Sequence, residues 1–209
     1  PAFLPIGTRG SVKAVTAEEL RFWGAEMILA NTYHLWLRPG DMLIHRAGGL
    51  HKFMGWDGPI FTDSGGYQVY SLGEKIDLSL RGNPKQSNPA IAARSTARND
   101  RPKLTKISEV GVEFRNELDG ATHVLSPEES IQIQSNLGSD IALVLDDVPG
   151  LPATEKRLKS SIDLTLKWAA RAKAHHEKIT PDSVNPGQRL YGIVQGGDLE
   201  TLRKKSADG

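Results

Sequence analysis

The chain of 209 residues contains no cysteine. That absence removes disulfide bonds, thiolate nucleophiles and cysteine metal ligands, and it fits a reducing compartment. No apolar run approaches the roughly 20 residues of a membrane-spanning helix, so we expect no membrane partner. Neither sign of charge is in excess, because 26 Lys and Arg against 25 Asp and Glu give a formal net charge of +1. A nucleic-acid partner would therefore be bound through local basic patches.

Short apolar runs alternate with amphipathic segments, which is the pattern of β/α units around a parallel sheet. Polar and aromatic residues collect just after the apolar runs, at the carboxyl ends of the predicted strands. An α/β barrel has its active site at that end, and so does a doubly wound open sheet, so the periodicity leaves both architectures open. The predicted strands are Phe3–Ile6, Met27–Ala30, Pro59–Phe61, Ile141–Leu145 and Leu190–Val194.

The helices are predicted from their end signals. Thr16 with Glu19 and Ser126 with Glu129 each have the spacing of a capping box, in which the two side chains cap each other's backbone N–H groups. Glycines mark several of the predicted ends. The predicted helices run from Thr16 to Gly24, from Pro39 to Gly48, from Ser126 to Gly138 and from Ala153 to His176.

The stretch from Asp77 to Thr105 breaks this rhythm. It is rich in Arg and Lys and has few large apolar residues after Leu80, so it buries little apolar surface. We interpret it as an insertion-like Arg-rich loop, which is either simply solvated or in contact with phosphate groups. After it, the runs Val112–Phe114 and His123–Leu125 predict a hairpin.

The segment Thr62–Val69 has the most informative chemistry. It places Asp63 at the end of a predicted strand, followed by two glycines and the ring of Tyr67. The carboxylate can cap the turn by accepting backbone N–H bonds from Gly65 or Gly66. It can also act as an acid or base beside a flat base that stacks on the tyrosine.

Two other strand ends carry candidate groups. Asp146 and Asp147 follow an apolar run, where a carboxylate can bind a cation, cap the next segment or accept N–H bonds from a purine. Successive strand residues point to opposite sides, so we expect one of the two to face the site. Gln195 offers an amide beside Gly196 and Gly197, which allow close backbone approach. The six histidines lack metal-ligand spacing, so we predict no metal site in this chain.

Taken in order, these segments resemble the bacterial tRNA-guanine transglycosylases, also called queuine tRNA-ribosyltransferases. The resemblance spans nearly the whole chain apart from the stretch at about 77–105. The segments that carry it are Phe3–Thr8, Gly10–Lys13, Ala30–Leu35, Leu37–Gly40, Gly48–Trp56, Gly58–Ile60, Thr62–Val69, Gly138–Ile141 and Tyr191–Gly197.

The resemblance implies a (β/α)8 TIM barrel that is incomplete in this chain, with residues 1–209 forming the N-terminal part of a single catalytic domain. It implies a cytoplasmic pentosyltransferase of queuosine biosynthesis, with tRNA as its partner and homodimerisation as a possibility. Such an enzyme replaces the wobble guanine with a 7-deazaguanine base, either 7-aminomethyl-7-deazaguanine or queuine. The exchange is a double displacement through a covalent intermediate, and the target base must leave the anticodon stack.

The resemblance also implies roles for single residues. Asp63 matches the acid/base aspartate at the glycosidic bond, and Tyr67 matches the aromatic ring that stacks on the base. Asp146 matches the carboxylate that binds the purine N1 and N2 donors, and Gln195 matches the amide that binds the purine carbonyl. The remaining residues implied in the base site are Ser64, Gly65, Gly66 and Gly196.

This chain departs from the family pattern in several ways. The family's nucleophilic aspartate, its later glycine-rich loop and its zinc site of three Cys and one His lie beyond the position of Gly209. Val148 stands where many members have a cysteine. The resemblance therefore implies zinc in the full-length family, with no ligands here, and an inactive fragment. Two alternatives stay open: a shortened, non-catalytic homologue that binds tRNA or a partner, and an unrelated barrel hydrolase that uses Asp63 and Asp146.

Overall fold

The structure is a computed structural model that describes residues 3–69, 71, 105–116 and 120–209. Within these residues the strands form two sheets. Most of the Arg-rich stretch, residues 77–104, lies outside the described residues, as does Asp119 in the predicted hairpin turn. The strands are β1 Ile28–Ala30, β2 Ile60–Thr62, β3 Thr105–Ile107, β4 Val112–Arg115, β5 Thr122–Leu125, β6 Ile141–Leu143 and β7 Arg189–Tyr191. The helices are α1 Ala17–Phe22, α2 Thr32–Leu37, α3 Asp41–Arg46, α4 Gly49–Met54, α5 Pro127–Leu137, α6 Glu155–Ile179 and α7 Glu200–Asp208.

The larger sheet is parallel and has the order β1-β2-β6-β7. Each of its strands pairs with the next one along the chain within that sheet, with Ala30 opposite Thr62, Phe61 opposite Ile141, and Leu143 opposite Tyr191. Helices connect the strands, so the predicted α/β class with a parallel sheet is confirmed. The predicted strand Phe3–Ile6 is reduced to one parallel bridge between Ile6 and Leu29.

The smaller sheet is antiparallel, with the order β3-β4-β5. The predicted hairpin is confirmed as β4 and β5, in which Phe114 pairs with His123. β3 was missed, and its first residue is Thr105, which was predicted to be the end of the Arg-rich stretch. Helix α6 packs against the connection between β3 and β4, where the indole N–H of Trp168 donates to the Glu109 carbonyl at 3.0 Å.

The helix ends show which of the predicted capping contacts form in the structure. The Thr16 capping box has both of its hydrogen bonds. At the start of α5, Ser126 accepts from the Glu129 backbone at 3.1 Å, but no return bond from the glutamate side chain is present, so this capping box is half formed. Gly138 ends α5 in the left-handed conformation, as predicted.

The segment after β1 differs most from expectation. The helix predicted between Pro39 and Gly48 is confirmed as α3, whereas α2 before it and α4 after it were not predicted. Gly40 and Gly48 have φ values of 103° and 87°, so each breaks the chain between two short helices. The helix α7 near the end of the chain was not predicted either.

The core lies between the parallel sheet and its helices. Trp56 and Trp168 are buried in it, whereas Trp23 is exposed. Leu145 packs in the same cluster and holds the segment that leads from β6 to Asp146. A membrane crossing requires length and apolarity in one helix, and none of the helices in the described ranges combines the two.

Candidate active site

The candidate site lies at the carboxyl ends of β2, β6 and β7. Asp63 directly follows β2, Asp146 follows β6 by three residues, and Gln195 follows β7 by four. The strands are parallel and adjacent, so these ends meet at one edge of the sheet. The expectation that polar groups converge there is confirmed for Ser64, Asp146 and Gln195, because Asp146 contacts both of the others.

Asp63 is surrounded by hydrogen-bond donors. The side-chain amides of Asn31 and Gln68 donate to Oδ2 at 2.6 and 2.8 Å. The backbone N–H of Thr32 donates to Oδ1 at 2.9 Å, and Gly65 adds a further backbone bond. The turn-capping contact that the sequence suggested is therefore present, but most of the donors come from the end of β1 and from Gln68.

Two opposed effects act on the Asp63 carboxyl. Burial raises its pKa above the usual range of an aspartate, and the donors from Asn31, Thr32, Gln68 and Gly65 partly offset that increase. The group is thereby held in one orientation while its affinity for a proton is increased. A carboxyl in that condition is suited to accept and return a proton.

Asp146 lies between two of the other predicted residues. The Gln195 amide donates to Oδ2 at 2.5 Å, and the Ser64 hydroxyl is 3.5 Å from Oδ1. The residue is only 8% exposed. Burial, followed by the neighbouring charge of Asp147, raises the pKa of Asp146 to about 6, and the bonds from Ser64 and Gln195 oppose the shift. In the free chain, the two groups predicted to bind a base therefore satisfy each other.

Asp147 points away from this contact, so the prediction that one of the two carboxylates faces the site is confirmed. Its two oxygens accept from both terminal nitrogens of Arg157, at 2.5 and 2.6 Å, on the first turn of α6. The hydroxyl of Ser161 donates to its carbonyl, and its N–H contacts the Thr165 hydroxyl. These bonds attach the segment after β6 to α6. No local pattern indicates this role for Arg157, which follows Asp147 by ten residues.

The predicted glycines differ in what they approach. A Cβ atom on Gly66 would lie 2.9 Å from Leu145 Cδ1 and 3.4 Å from the Asp146 carbonyl, so this glycine lets the turn after β2 pack on the end of β6. A Cβ on Gly196, which has φ of 123°, would lie 2.7 Å from the Arg203 backbone nitrogen. Gly196 thus packs against α7. Tyr67 lies in a helical turn at residues 66–69, and 60% of the residue is exposed.

One known family matches the sequence over its whole length. The profile of queuine tRNA-ribosyltransferase matches residues 1–209. The chain belongs to the queuine tRNA-ribosyltransferase family. Similar members are the queuine tRNA-ribosyltransferases of Shouchella clausii, 45% identical over 208 residues, and Staphylococcus epidermidis, 47% identical over 208 residues. The counterpart from Lysinibacillus sphaericus is 44% identical over 208 residues.

These family members are longer than the chain. The alignments cover 100%, 99% and 100% of this chain, but 46%, 45% and 45% of the three relatives. The chain therefore spans a little under half the length of the curated queuine tRNA-ribosyltransferases that it matches. Its recognition as an N-terminal portion of such a protein fits that coverage.

The zinc site that the resemblance implies for the family is not one that these residues can build. The chain has no Cys, and within the described ranges no three His, Asp or Glu side chains are grouped so that they could hold a metal ion. A structural zinc site of three Cys thiolates and one His imidazole has four protein ligands in tetrahedral geometry. Other residues of a longer queuine tRNA-ribosyltransferase would have to supply those ligands.

A cavity of about 170 Å³ lies apart from the candidate site. Its lining includes Val12 and Leu20 near α1, Ile28 of β1 and Met54 of α4, and it contains no titratable side chain. The base site that the family resemblance implies does not coincide with it. In the candidate site, the Gln195 amide contacts the Asp146 carboxylate directly.

Proposed function

We propose that this chain forms the base-binding part of a cytoplasmic tRNA-guanine transglycosylase, which exchanges the wobble guanine of tRNA for a 7-deazaguanine base. The observation that carries the proposal is the buried Asp146 carboxylate between the Ser64 hydroxyl and the Gln195 amide, at the carboxyl ends of parallel strands. A carboxylate and a primary amide side by side complement the edge of a guanine, which presents two donors next to one acceptor.

Base binding breaks the bond between Gln195 and Asp146. The guanine N1–H and N2–H groups donate to the two Asp146 oxygens, and the released Gln195 amide donates to the carbonyl O6. Tyr67 supplies an exposed ring for stacking. The free chain keeps both recognition groups hydrogen-bonded until the ligand replaces the contact, so neither is left buried without a partner.

The chemical step uses a nucleophilic aspartate from the part of the protein beyond this chain. Its carboxylate oxygen forms a bond to the ribose C1′ while the C1′–N9 bond breaks and the electron pair passes to guanine N9. Asp63 gives its proton to that nitrogen. The incoming base then attacks C1′ through N9, returns a proton to Asp63 and releases the aspartate. The increased proton affinity of Asp63 favours this role.

We also propose that the parallel sheet is the first part of a (β/α)8 barrel within a single catalytic domain. Its strands pair in chain order, as successive barrel strands do. Tyr191 and Val194 at the β7 edge are exposed, and so is Ile6 at the opposite edge. Later strands of the longer protein would cover both edges, and a zinc subdomain would follow.

Ligand binding by the 209-residue chain tests the base site directly. Saturation-transfer NMR should show that guanine binds whereas adenine does not, because adenine presents an acceptor at N1 to the Asp146 carboxylate. Equal signals from the two bases, or none from guanine, would contradict the proposed recognition. Exchange itself is measured as labelled guanine entering tRNA, with a protein of the relatives' length that includes this chain.

Replacing Asp146 with Asn is expected to weaken guanine binding by roughly 30- to 100-fold, the loss of about one hydrogen bond to a charged group. The asparagine amide keeps one acceptor but turns a donor toward the second N–H. Hypoxanthine, which lacks the amino group at C2, provides the comparison. The wild-type chain should prefer guanine over hypoxanthine, and the variant should bind the two equally. If the variant still prefers guanine over hypoxanthine, a residue other than Asp146 recognises the N2 amino group.

Guanine affinity is expected to fall as the pH drops through about 6. Asp146 with its pKa near 6 takes up a proton there, and the protonated carboxyl no longer accepts both N–H groups. The same raised pKa means that protonation of Asp146 favours the folded chain, so this group does not cause unfolding in that range. Affinity measured from about pH 5 to about pH 8 should show the decrease, and Asp146→Asn should abolish it.

A further inference from the structure

The strands β2 and β6 separate on the way to the candidate site. Their paired residues are Phe61 and Ile141, and one residue further along β2 the Thr62 hydroxyl contacts the Ile141 carbonyl at 3.2 Å. Leu143 is the last residue of β6, and its backbone groups on the β2 side need other partners. A side chain of α5 provides them.

The amide of Gln134 occupies the gap. Its Oε1 accepts from the Leu143 N–H at 2.9 Å, and its Nε2 donates to the Leu143 carbonyl at 2.8 Å. Oε1 also accepts from the Thr62 hydroxyl at 2.9 Å, and Nε2 contacts the Ser130 hydroxyl at 3.2 Å. All four hydrogen-bonding positions of the amide are used, and the residue is fully buried. Gln134 therefore pairs with Leu143 as a neighbouring strand residue would.

Ser130 continues this connection to the other strand end. It lies one turn before Gln134 on the same face of α5, and its hydroxyl donates to the Ser64 carbonyl at 2.8 Å. One helix thus holds the backbone just after β2 and the last residue of β6 at the same time. Ser64 and Asp146, the two groups on opposite sides of the gap, are 3.5 Å apart between Oγ and Oδ1.

We infer that Gln134 and Ser130 are positioning residues that set the separation between Ser64 and Asp146, and through it the fit of the base. The inference rests on the proposed base site. A bound purine has to fit between the end of β2 and the Asp146 carboxylate, and a displacement of about 1 Å is enough to spoil such contacts. Gly66 packs directly on Leu145 and the Asp146 backbone, so a shift of one strand end is transmitted to the other.

Replacing Gln134 with Met tests the inference, because methionine has a similar length and no amide. The variant is expected to bind guanine about tenfold more weakly than the wild type at a temperature where both are fully folded. Gln188→Met is the matched control. Gln188 is also a buried glutamine, but its amide contacts Ser139, just before β6, and the backbone carbonyl of Gln134 rather than the strand end at Leu143. It should lower the melting temperature while changing guanine affinity by less than about twofold.

Equal losses of affinity in the two variants would reduce Gln134 to a general stabilising residue and overturn the inference. Ser130→Ala covers the case in which Gln134→Met does not fold. It removes the hydroxyl that donates to the Ser64 carbonyl and accepts from Gln134 Nε2, and we expect guanine affinity to fall about fivefold, the order of the effect of one or two neutral hydrogen bonds. Unchanged affinity in the folded Ser130→Ala variant would contradict the inference.

A measurement without ligand separates this inference from the proposed function. In a crystal structure of Gln134→Met, the distance between Ser64 Oγ and Asp146 Oδ1 should differ from 3.5 Å by about 1 Å, whereas Gln188→Met should retain it. A retained distance in Gln134→Met would overturn the inference even if guanine binds. If the wild type fails to bind guanine, the proposed function fails, and the distance still tests the positioning role.

Discussion

Replacing Asp63 with Asn is expected to lower base exchange about 10²- to 10⁴-fold, the usual contribution of a general acid or base. The measurement uses a protein of the relatives' length that begins with this chain, and it follows labelled guanine into tRNA. The asparagine has the same shape but cannot give a proton to guanine N9 or take one from the incoming base. The proposed mechanism therefore loses both proton transfers while its other groups stay in place.

The Asp63→Asn protein should remain folded. The new amide lies where Asp63 Oδ2 accepted from Asn31 and Gln68, and both of those side chains can rotate to present oxygen instead. Gln68 Oε1 is buried and has no hydrogen-bond partner among the residues that the structure describes, so it is available for this contact. The matched control is Asp57→Asn, at an exposed carboxylate paired with Arg21, which should leave exchange unchanged. Normal exchange by a folded Asp63→Asn protein would contradict the acid/base role and leave Asp63 only a structural role in capping the turn.

Replacing Arg157 with Met is expected to lower the free energy of unfolding by about 3 to 5 kcal/mol. The change keeps an aliphatic side chain on the first turn of α6 but removes the guanidinium that binds both Asp147 oxygens. Asp147 is 3% exposed, so its charge cannot be solvated in the folded chain. Denaturant unfolding of the 209-residue chain, followed by circular dichroism, measures the loss.

Two further variants establish whether the effect comes from the buried charge. Lys159→Met breaks an exposed ion pair with Glu155 in the same helix and should change stability by less than about 0.5 kcal/mol. The double variant Arg157→Met with Asp147→Asn removes the charge together with its partner, so it should recover part of the loss. A loss in Arg157→Met no larger than in Lys159→Met would show that the buried pair adds little.

The polar groups at the strand ends were predictable from the sequence because strand ends are marked locally. The apolar runs before Asp63 and Asp146 indicate strands, and parallel strands bring their carboxyl ends to one edge. The Thr16 cap and Gly138 were equally predictable, because a helix end depends on a few neighbouring residues. The short helices α2 and α4 on either side of α3 were not, because glycines can interrupt a helix or be tolerated within it.

The residues that hold the site in place were missed for a physical reason. Asn31 and Thr32 bind Asp63 from more than 30 positions away. Arg157 binds Asp147, and Gln134 pairs with Leu143, through side chains that carry no local signal. Glutamines and arginines on helices mostly face solvent, and only the packing of α5 and α6 on the sheet buries Gln134 beside the Leu143 backbone and brings the partly exposed Arg157 against the Asp147 carboxylate.

By itself, the sequence determined the α/β class, the strand ends at which the candidate groups lie, and membership of the queuine tRNA-ribosyltransferase family. These follow from local patterns and from the order of residues. Only the tertiary structure decided that Asp146 contacts Gln195, that Asp147 pairs with Arg157, and that Gln134 bridges the gap between β2 and β6. Such contacts join residues distant in the chain, and their geometry depends on how helices pack against strands, which no local pattern encodes.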